Sequence, residues 1–213
     1  MNGKAWAQLG LVAFLLTAAG MMFFRSSDRT RIDFHPYQAL GTVAGEEVSK
    51  SLGGQGTIVL VIPAPGPDPD PVFDSQLAAF KASLKAHGKV ELTATVPVSM
   101  DPFQRMSTGG AMPPDQFAAL RAQHPNANGY VLFIGFPALT GSEMDALKGS
   151  TTRLMVVSAP LPGYETLLAR RILEFAIVSK TVPADEAPPP AKTTRELFDQ
   201  EYLILRPDNA GAE

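Results

Sequence analysis

The chain has 213 residues, 45% of them hydrophobic, a net charge of −3 and a pI near 5.6. That is enough apolar material for one domain with a core, and it excludes wholesale disorder. The acidic balance leaves no basic footprint for nucleic acid, and the lack of cysteine excludes disulfides, thiol catalysis, cysteine-ligated metal and a lipidated cysteine anchor.

After Lys4 comes "AWAQLGLVAFLLTAAGMMFF", Ala5 to Phe24, with Gln8 its only strongly polar side chain. A helix of that length spans roughly 30 Å, the thickness of a bilayer core. Trp6 and Arg25 suit the two interfaces. The segment reads as a transmembrane signal-anchor. A cleaved signal peptide and a buried helix are the rival readings; "TAAG" offers a cleavage-like site, but "MMFF" carries the apolar run past it. Lys4 precedes the segment, while Arg25, Arg29 and Arg31 follow it. Positive charge alone therefore places the C-terminal part inside.

Residues 25–36 read as a polar linker and 37–213 as the folded domain. Tyr37 to Gly54 has helical periodicity, with Leu40, Val43, Ala44 and Val48 near one face and Gly53-Gly54 as its stop. "TIVLVIP" is an apolar strand of the kind buried on both faces of a parallel sheet. "DSQLAAFKASLKAHG" is a helix capped by Asp74 or Ser75, and "VELTATVPV" alternates like a strand. The insert "SMDPFQRMSTGGAM" reads as a surface loop that borders a ligand crevice at the strand ends. Its Met100, Met106 and Met112 suit either an adaptable apolar patch or packing beneath the loop.

Further on, "PPDQFAALRAQHP" is helical, "YVLFIGF" a buried strand, "GSEMDALKG" a short helix and "RLMVVSA" another buried strand. "GYETLLARRIL" is helical and "EFAIVSKTV" a fifth strand; "ADEAPPPAK" is a loop, "TTRELFDQ" a helical turn and "EYLILR" the last strand. The alternation predicts one three-layer α/β/α domain with a mostly parallel five- or six-stranded sheet.

The turn after the first strand carries Asp68, Asp70 and Asp74 where a nucleotide-binding domain has a glycine loop. Three carboxylates suit a hard cation, but prolines stiffen the spacing and no calcium-loop glycine follows. Asp74 is more simply a helix cap. "GGQG" precedes a strand and lacks the lysine of a phosphate loop. His35, His87 and His124 lack ligand spacing, and no serine elbow is present. The expected set is therefore no catalytic residue, no metal and no cofactor.

"AGEEVSKSLGGQGTIVLVIP" resembles the helix, turn and strand that open the C-terminal lobe of sugar-type (type I) periplasmic binding proteins. "DSQLAAFKASLKAHGKVELTATVPV", "DQFAALRAQHPNANGYVLFIG", "EFAIVSKTVP" and "YLILRPDN" are similar to the elements that follow there, so the resemblance runs from Ala44 to Asn209. It implies export, against the charge count. It also implies altered ligand contacts. The family's sugar-gripping arginine falls at Gln76, its asparagine–aspartate pair at Phe136-Pro137 and its later aspartate at Ala159-Pro160. Crevice positions then comprise Asp68, Asp70, Asp74, Gln76, Phe136 and Thr140.

Only a linker and an anchor precede Tyr37, so the resemblance implies one lobe, which needs a second chain to close on a solute. Two functions follow. The first is a membrane-anchored, non-enzymatic interaction or assembly module of the cell envelope. It is held to the lipid bilayer by Ala5–Phe24 and meets a protein partner. The second is a receptor for a small, sugar-like solute with an altered pocket, working as a homodimer. Either places a single-pass protein in the inner membrane with its domain outside the cytoplasm.

Overall fold

Apolar runs too continuous to have a wet face become the centre of a sheet. In β1 (Gln55–Pro63), Val59 and Val61 point into one core layer while Ile58, Leu60 and Ile62 point into the other. Alternation along a strand thus buries every residue when helices cover both faces. The computed structural model describes residues 32–108, 110–157, 163–180 and 190–209. The anchor segment Ala5–Phe24, the Ala159-Pro160 pair and most of "ADEAPPPAK" lie outside those residues. The chain divides into Met1–Asp33 and Phe34–Glu213, and the second unit carries the fold. Among the described residues, no helix is long and apolar enough to cross a membrane.

In chain order that unit runs α1 (His35–Ser51), β1, α2 (Pro71–Ala86), β2 (Lys89–Val98), α3 (Pro102–Thr108), α4 (Pro114–Gln123) and β3 (Gly129–Leu132). It continues α5 (Gly141–Leu147), β4 (Arg153–Val157), α6 (Tyr164–Ala169), β5 (Phe175–Ser179), α7 (Thr194–Glu201) and β6 (Tyr202–Leu205). The strand order is β2-β1-β3-β4-β5-β6. Pairing is parallel until β6, which runs antiparallel to β5. Helices α1, α2 and α7 cover one face through Leu40, Val48, Phe80 and Phe198. Helices α4, α5 and α6 cover the other through Phe117, Leu120, Leu147 and Leu168.

Three elements depart from expectation. Helix α2 starts at Pro71, a turn before Asp74, because Asp70 is the cap: its Oδ1 accepts the Phe73 N–H at 3.0 Å. Proline at the first helical position needs no N–H partner, which fixes the start there. The insert after β2 is not simply a loop. Asp101 Oδ1 accepts the Gln104 N–H at 2.8 Å and nucleates α3 behind Pro102. Strand β3 ends at Leu132; beyond it Gly135 forms a lone parallel bridge with Ala111 of the insert.

Helices α1 and α2 cross unusually closely. A Cβ built on Gly41 would lie 2.9 Å from the Phe80 nitrogen, and one on Gly45 2.7 Å from the Phe80 oxygen. Two glycines four apart lie on one helix face, so the backbones meet with no side chain between them. Gln38 Nε2 donates to Ser75 Oγ at 3.0 Å near one end of this contact, and Ser49 Oγ donates to the His87 carbonyl at 2.8 Å near the other. The helices therefore run parallel, and the start of α1 lies with the start of α2 at the C-terminal end of the strands.

Candidate functional site

Strand order reverses between β1 and β3, because β2 lies to one side of β1 and β3 to the other. In an open α/β sheet that reversal parts the connecting loops and leaves a crevice at the strand C-termini. Here the crevice contains a hollow of about 410 Å³ on the α2 side, between the end of β1 and the first turns of α2. Ile62, Phe73 and Leu77 give it apolar walls, and Asp68, Asp70 and Asp74 stand around it. Phe73 meets Phe133 edge to face at 5.9 Å, and Phe133 meets Phe80 likewise at 5.2 Å. Such offset aromatic contacts fix ring orientation, so the wall is held by the core behind it.

The three aspartates have different duties. Asp70 spends one oxygen on the helix cap. Asp74 sits in the first turn of α2, where a negative charge faces the positive end of the helix dipole. Asp68 is exposed on the proline loop. Among the described residues, no group of three His, Asp or Glu is arranged to hold a metal ion.

The other expected crevice positions lie elsewhere. Gln76 is only 6% exposed, and its amide nitrogen has no hydrogen-bond partner among the described residues. It does not line the hollow. Phe136 is buried in the α4-side core, 5.6 Å from the Phe117 ring. Thr140 caps α5: its Oγ1 accepts the Glu143 N–H while Glu143 Oε2 accepts the Thr140 N–H at 2.7 Å. The Thr140 hydroxyl, which donates to Glu143 Oε2 at 2.7 Å, and then the Thr140 N–H hold the Glu143 carboxyl below its usual range. The structure thus gathers Asp68, Asp70 and Asp74 and separates Gln76, Phe136 and Thr140 from them.

Two features go beyond the sequence reading, which left Met100, Met106 and Met112 as either an apolar patch or packing beneath the loop. Met100 and Met112 pack into the α4-side core, but Phe103 and Met106 on α3 are 85% and 83% exposed. They are three apart on one helix and share a face. The second is Glu47, which is 3% exposed. Arg206 donates to its Oε2, and Lys50 and Arg195 approach its Oε1 at 3.3 and 3.9 Å. A glutamate on the apolar stripe of α1, four residues after Val43, was the available signal.

At the opposite end of the sheet lies a polar basin of about 710 Å³ lined by Lys50, Asn128 and Arg153. Its cations are already engaged: Lys50 pairs with Glu46 at 2.7 Å and Arg153 with Glu174 at 2.7 Å. The hollow beside β1 is therefore the stronger candidate.

No protein-family model matches the chain, and no curated protein does. Solved structures do. An ABC transporter solute binding protein from Burkholderia graminis C4D1M in complex with D-arabinose is 17% identical, with a TM-score of 0.55 over 83% of this chain and 61% of that one. One from Agrobacterium vitis, bound with alpha-D-tagatopyranose, is 16% identical, with a TM-score of 0.53 over 82% and 57%. GanP, a glucose-galactose binding protein from Geobacillus stearothermophilus, is 12% identical, with a TM-score of 0.53 over 82% and 61%. The chain spans less than two thirds of each. The domain thus has a fold found in sugar-binding proteins of ABC transporters.

Proposed function

We propose that this domain binds a small, hydroxyl-rich solute in the hollow beside β1, outside the cytoplasm, and performs no covalent chemistry. The supporting observation is the hollow itself, where aspartates surround an apolar wall at the strand-order reversal. Carboxylates accept hydrogen bonds from solute hydroxyls, and a fixed ring face covers the C–H side of a sugar ring. The family resemblance puts the polar contact positions at Gln76, Phe136-Pro137 and Ala159-Pro160, which would leave the solute to an altered set centred on Asp68 and Phe73. Ala5–Phe24 serves as the membrane tether; recovery of the protein in the soluble fraction after carbonate extraction would contradict that part.

Thermal shift of the full-length protein in detergent tests the reading. D-arabinose, tagatose, glucose and galactose are the first probes, because the first two are bound in similar structures and GanP is a glucose-galactose binding protein. Sugar at a hundredfold excess over its dissociation constant stabilises a folded protein by about 2.7 kcal/mol. The expected result is a rise with one sugar class that Asp68→Asn weakens. No rise at millimolar sugar would sink the receptor reading. The exposed Phe103 and Met106 would then favour the second reading, an envelope assembly module.

A further inference from the structure

Helix α3 lies at the end of the sheet where the N-terminal part of the chain enters the domain. It follows β2, whose last residue, Val98, accepts the Ala64 N–H at 2.9 Å beside the end of β1. The start of α1 lies at that same end, with Gln38 bonded to Ser75. The residues flanking α3, Met100 and Met112, pack into the α4-side core, while Phe103 and Met106 stand in solvent. They are the most exposed large apolar side chains among the described residues. Single exposed apolar residues are ordinary, but these two share one helix face.

We propose that α3 rests on the bilayer to which the chain is tethered, with Phe103 and Met106 inserted at the level of the lipid headgroups. The proposal rests on the tether reading of Ala5–Phe24 and is independent of the solute.

The length of chain argues for lipid. Nine residues, 25 through 33, separate the apolar segment from Phe34. Fully extended they reach about 30 Å, so the end of the domain that carries both the start of α1 and α3 is held close to the bilayer. Two side chains on their own hold a domain to a membrane only weakly, because binding scales with the apolar area inserted. A short linker makes the contact intramolecular, at an effective concentration on the order of millimolar. Weak insertion then suffices to keep α3 on the surface.

Charge decides which face meets the surface. Asp68, Asp70 and Asp74 stand exposed around the hollow on the α2 side. Carboxylates resist transfer out of water, and anionic headgroups repel them. The apolar pair lies on the α4 side instead. Contact through α3 turns that side toward lipid and leaves the hollow open to solution for its solute. Asp101, at the start of α3, is also exposed, which limits insertion to the headgroup layer.

Trp6 is the chain's one tryptophan. Full-length Phe103→Trp in a Trp6→Phe background therefore carries a single reporter, in vesicles of phosphatidylcholine with a minority of phosphatidylglycerol. Lipids brominated on the upper acyl chain should remove much of its emission, and lipids brominated near the chain ends should remove less. Lys85→Trp, exposed in the last turn of α2 at the far end of the sheet, should keep its emission with both lipids. Met106→Asp added to Phe103→Trp should abolish the quenching. All three positions are exposed, so circular dichroism should show the variants folded. Equal quenching at positions 103 and 85, or quenching that survives Met106→Asp, would overturn the contact. So would a reporter at position 103 that is shielded from iodide yet untouched by brominated lipid, because that assigns α3 to a protein surface. Carbonate extraction of the same vesicles is read alongside. Protein retained with an unquenched reporter loses the α3 contact alone, whereas protein released loses the tether as well.

Discussion

Arg206, at the end of β6, donates from Nη2 to the Oε2 of Glu47, which is buried on α1. The pair joins residues 159 apart in sequence. Arg206 also lies over the Phe175 ring at 5.8 Å, so the last strand is tied to both the helix layer and the sheet. A buried carboxylate costs several kcal/mol to desolvate and persists only with its partners in place. Arg206→Met should therefore destabilise the domain by about 1–3 kcal/mol; this is less than for a fully buried pair, because the arginine is partly exposed and Lys50 and Arg195 remain. The double variant Glu47→Leu/Arg206→Met should regain most of that loss, because it removes the buried charge as well. Urea unfolding reads both. A double variant less stable than Arg206→Met would show that the pair contributes more than its desolvation cost.

The α1–α2 crossing sets two propensities against each other. Gly→Ala in a helix interior is normally favourable by about 1 kcal/mol. At Gly45 the new Cβ would meet the Phe80 oxygen at 2.7 Å and the Leu84 nitrogen at 2.9 Å. Those are backbone atoms, so one helix must move off the other, at a typical cost of about 1–3 kcal/mol or more. Sterics should win: Gly45→Ala and Gly41→Ala should both lower the urea midpoint. An unchanged or raised midpoint would mean that the helices separate easily.

Much of the sheet was legible because its central strands are apolar runs with no polar face. The residues of β1 and β4 could be nothing but buried strand once the helices between them were seen. The start of α2 was misjudged because Asp74 and Ser75 are good caps on their own; Asp70 wins because Pro71 follows it. The helix α3 was readable from Asp101-Pro102 and Gln104, a reciprocal cap hidden in a stretch that otherwise looks like loop. The site was only partly legible. Asp68, Asp70 and Asp74 are local to one turn, so sequence alone brings them together. Positions inferred from family resemblance depend on the rotation of each helix and the path of each loop. Gln76 is turned inward, and Phe136 folds back onto Phe117.

Alkaline pH should expose the buried tyrosines. Burial pushes the Tyr164 and Tyr202 hydroxyls up to about 12 and moves Tyr130 in the same direction. An unfolded tyrosine ionises near 10. The folded state therefore holds these protons after the unfolded chain would release them. Their contribution to stability is whole below about pH 10 and is lost progressively between about pH 10 and 12. Tyrosinate absorbance should show a late fraction whose appearance coincides with loss of the far-ultraviolet circular dichroism. Titration of all four tyrosines near pH 10 with the dichroism intact would contradict the burial of these rings.

The aspartates around the hollow can be separated by what each one holds. Asp70 accepts the Phe73 N–H, so Asp70→Ala should cost about 1 kcal/mol as a lost cap and should also loosen the Phe73 wall. Asp68 is exposed on the loop and has no such duty, so Asp68→Asn should leave the urea midpoint within about 0.5 kcal/mol of wild type. If the hollow binds a hydroxyl-rich solute, both variants should weaken binding, but only Asp70→Ala should also weaken the fold. Calorimetric titration alongside urea unfolding separates the two effects. Unchanged affinity in Asp68→Asn would move the solute away from this loop, whereas an Asp68→Asn stability loss equal to that of Asp70→Ala would mean that the loop acts as a brace for α2.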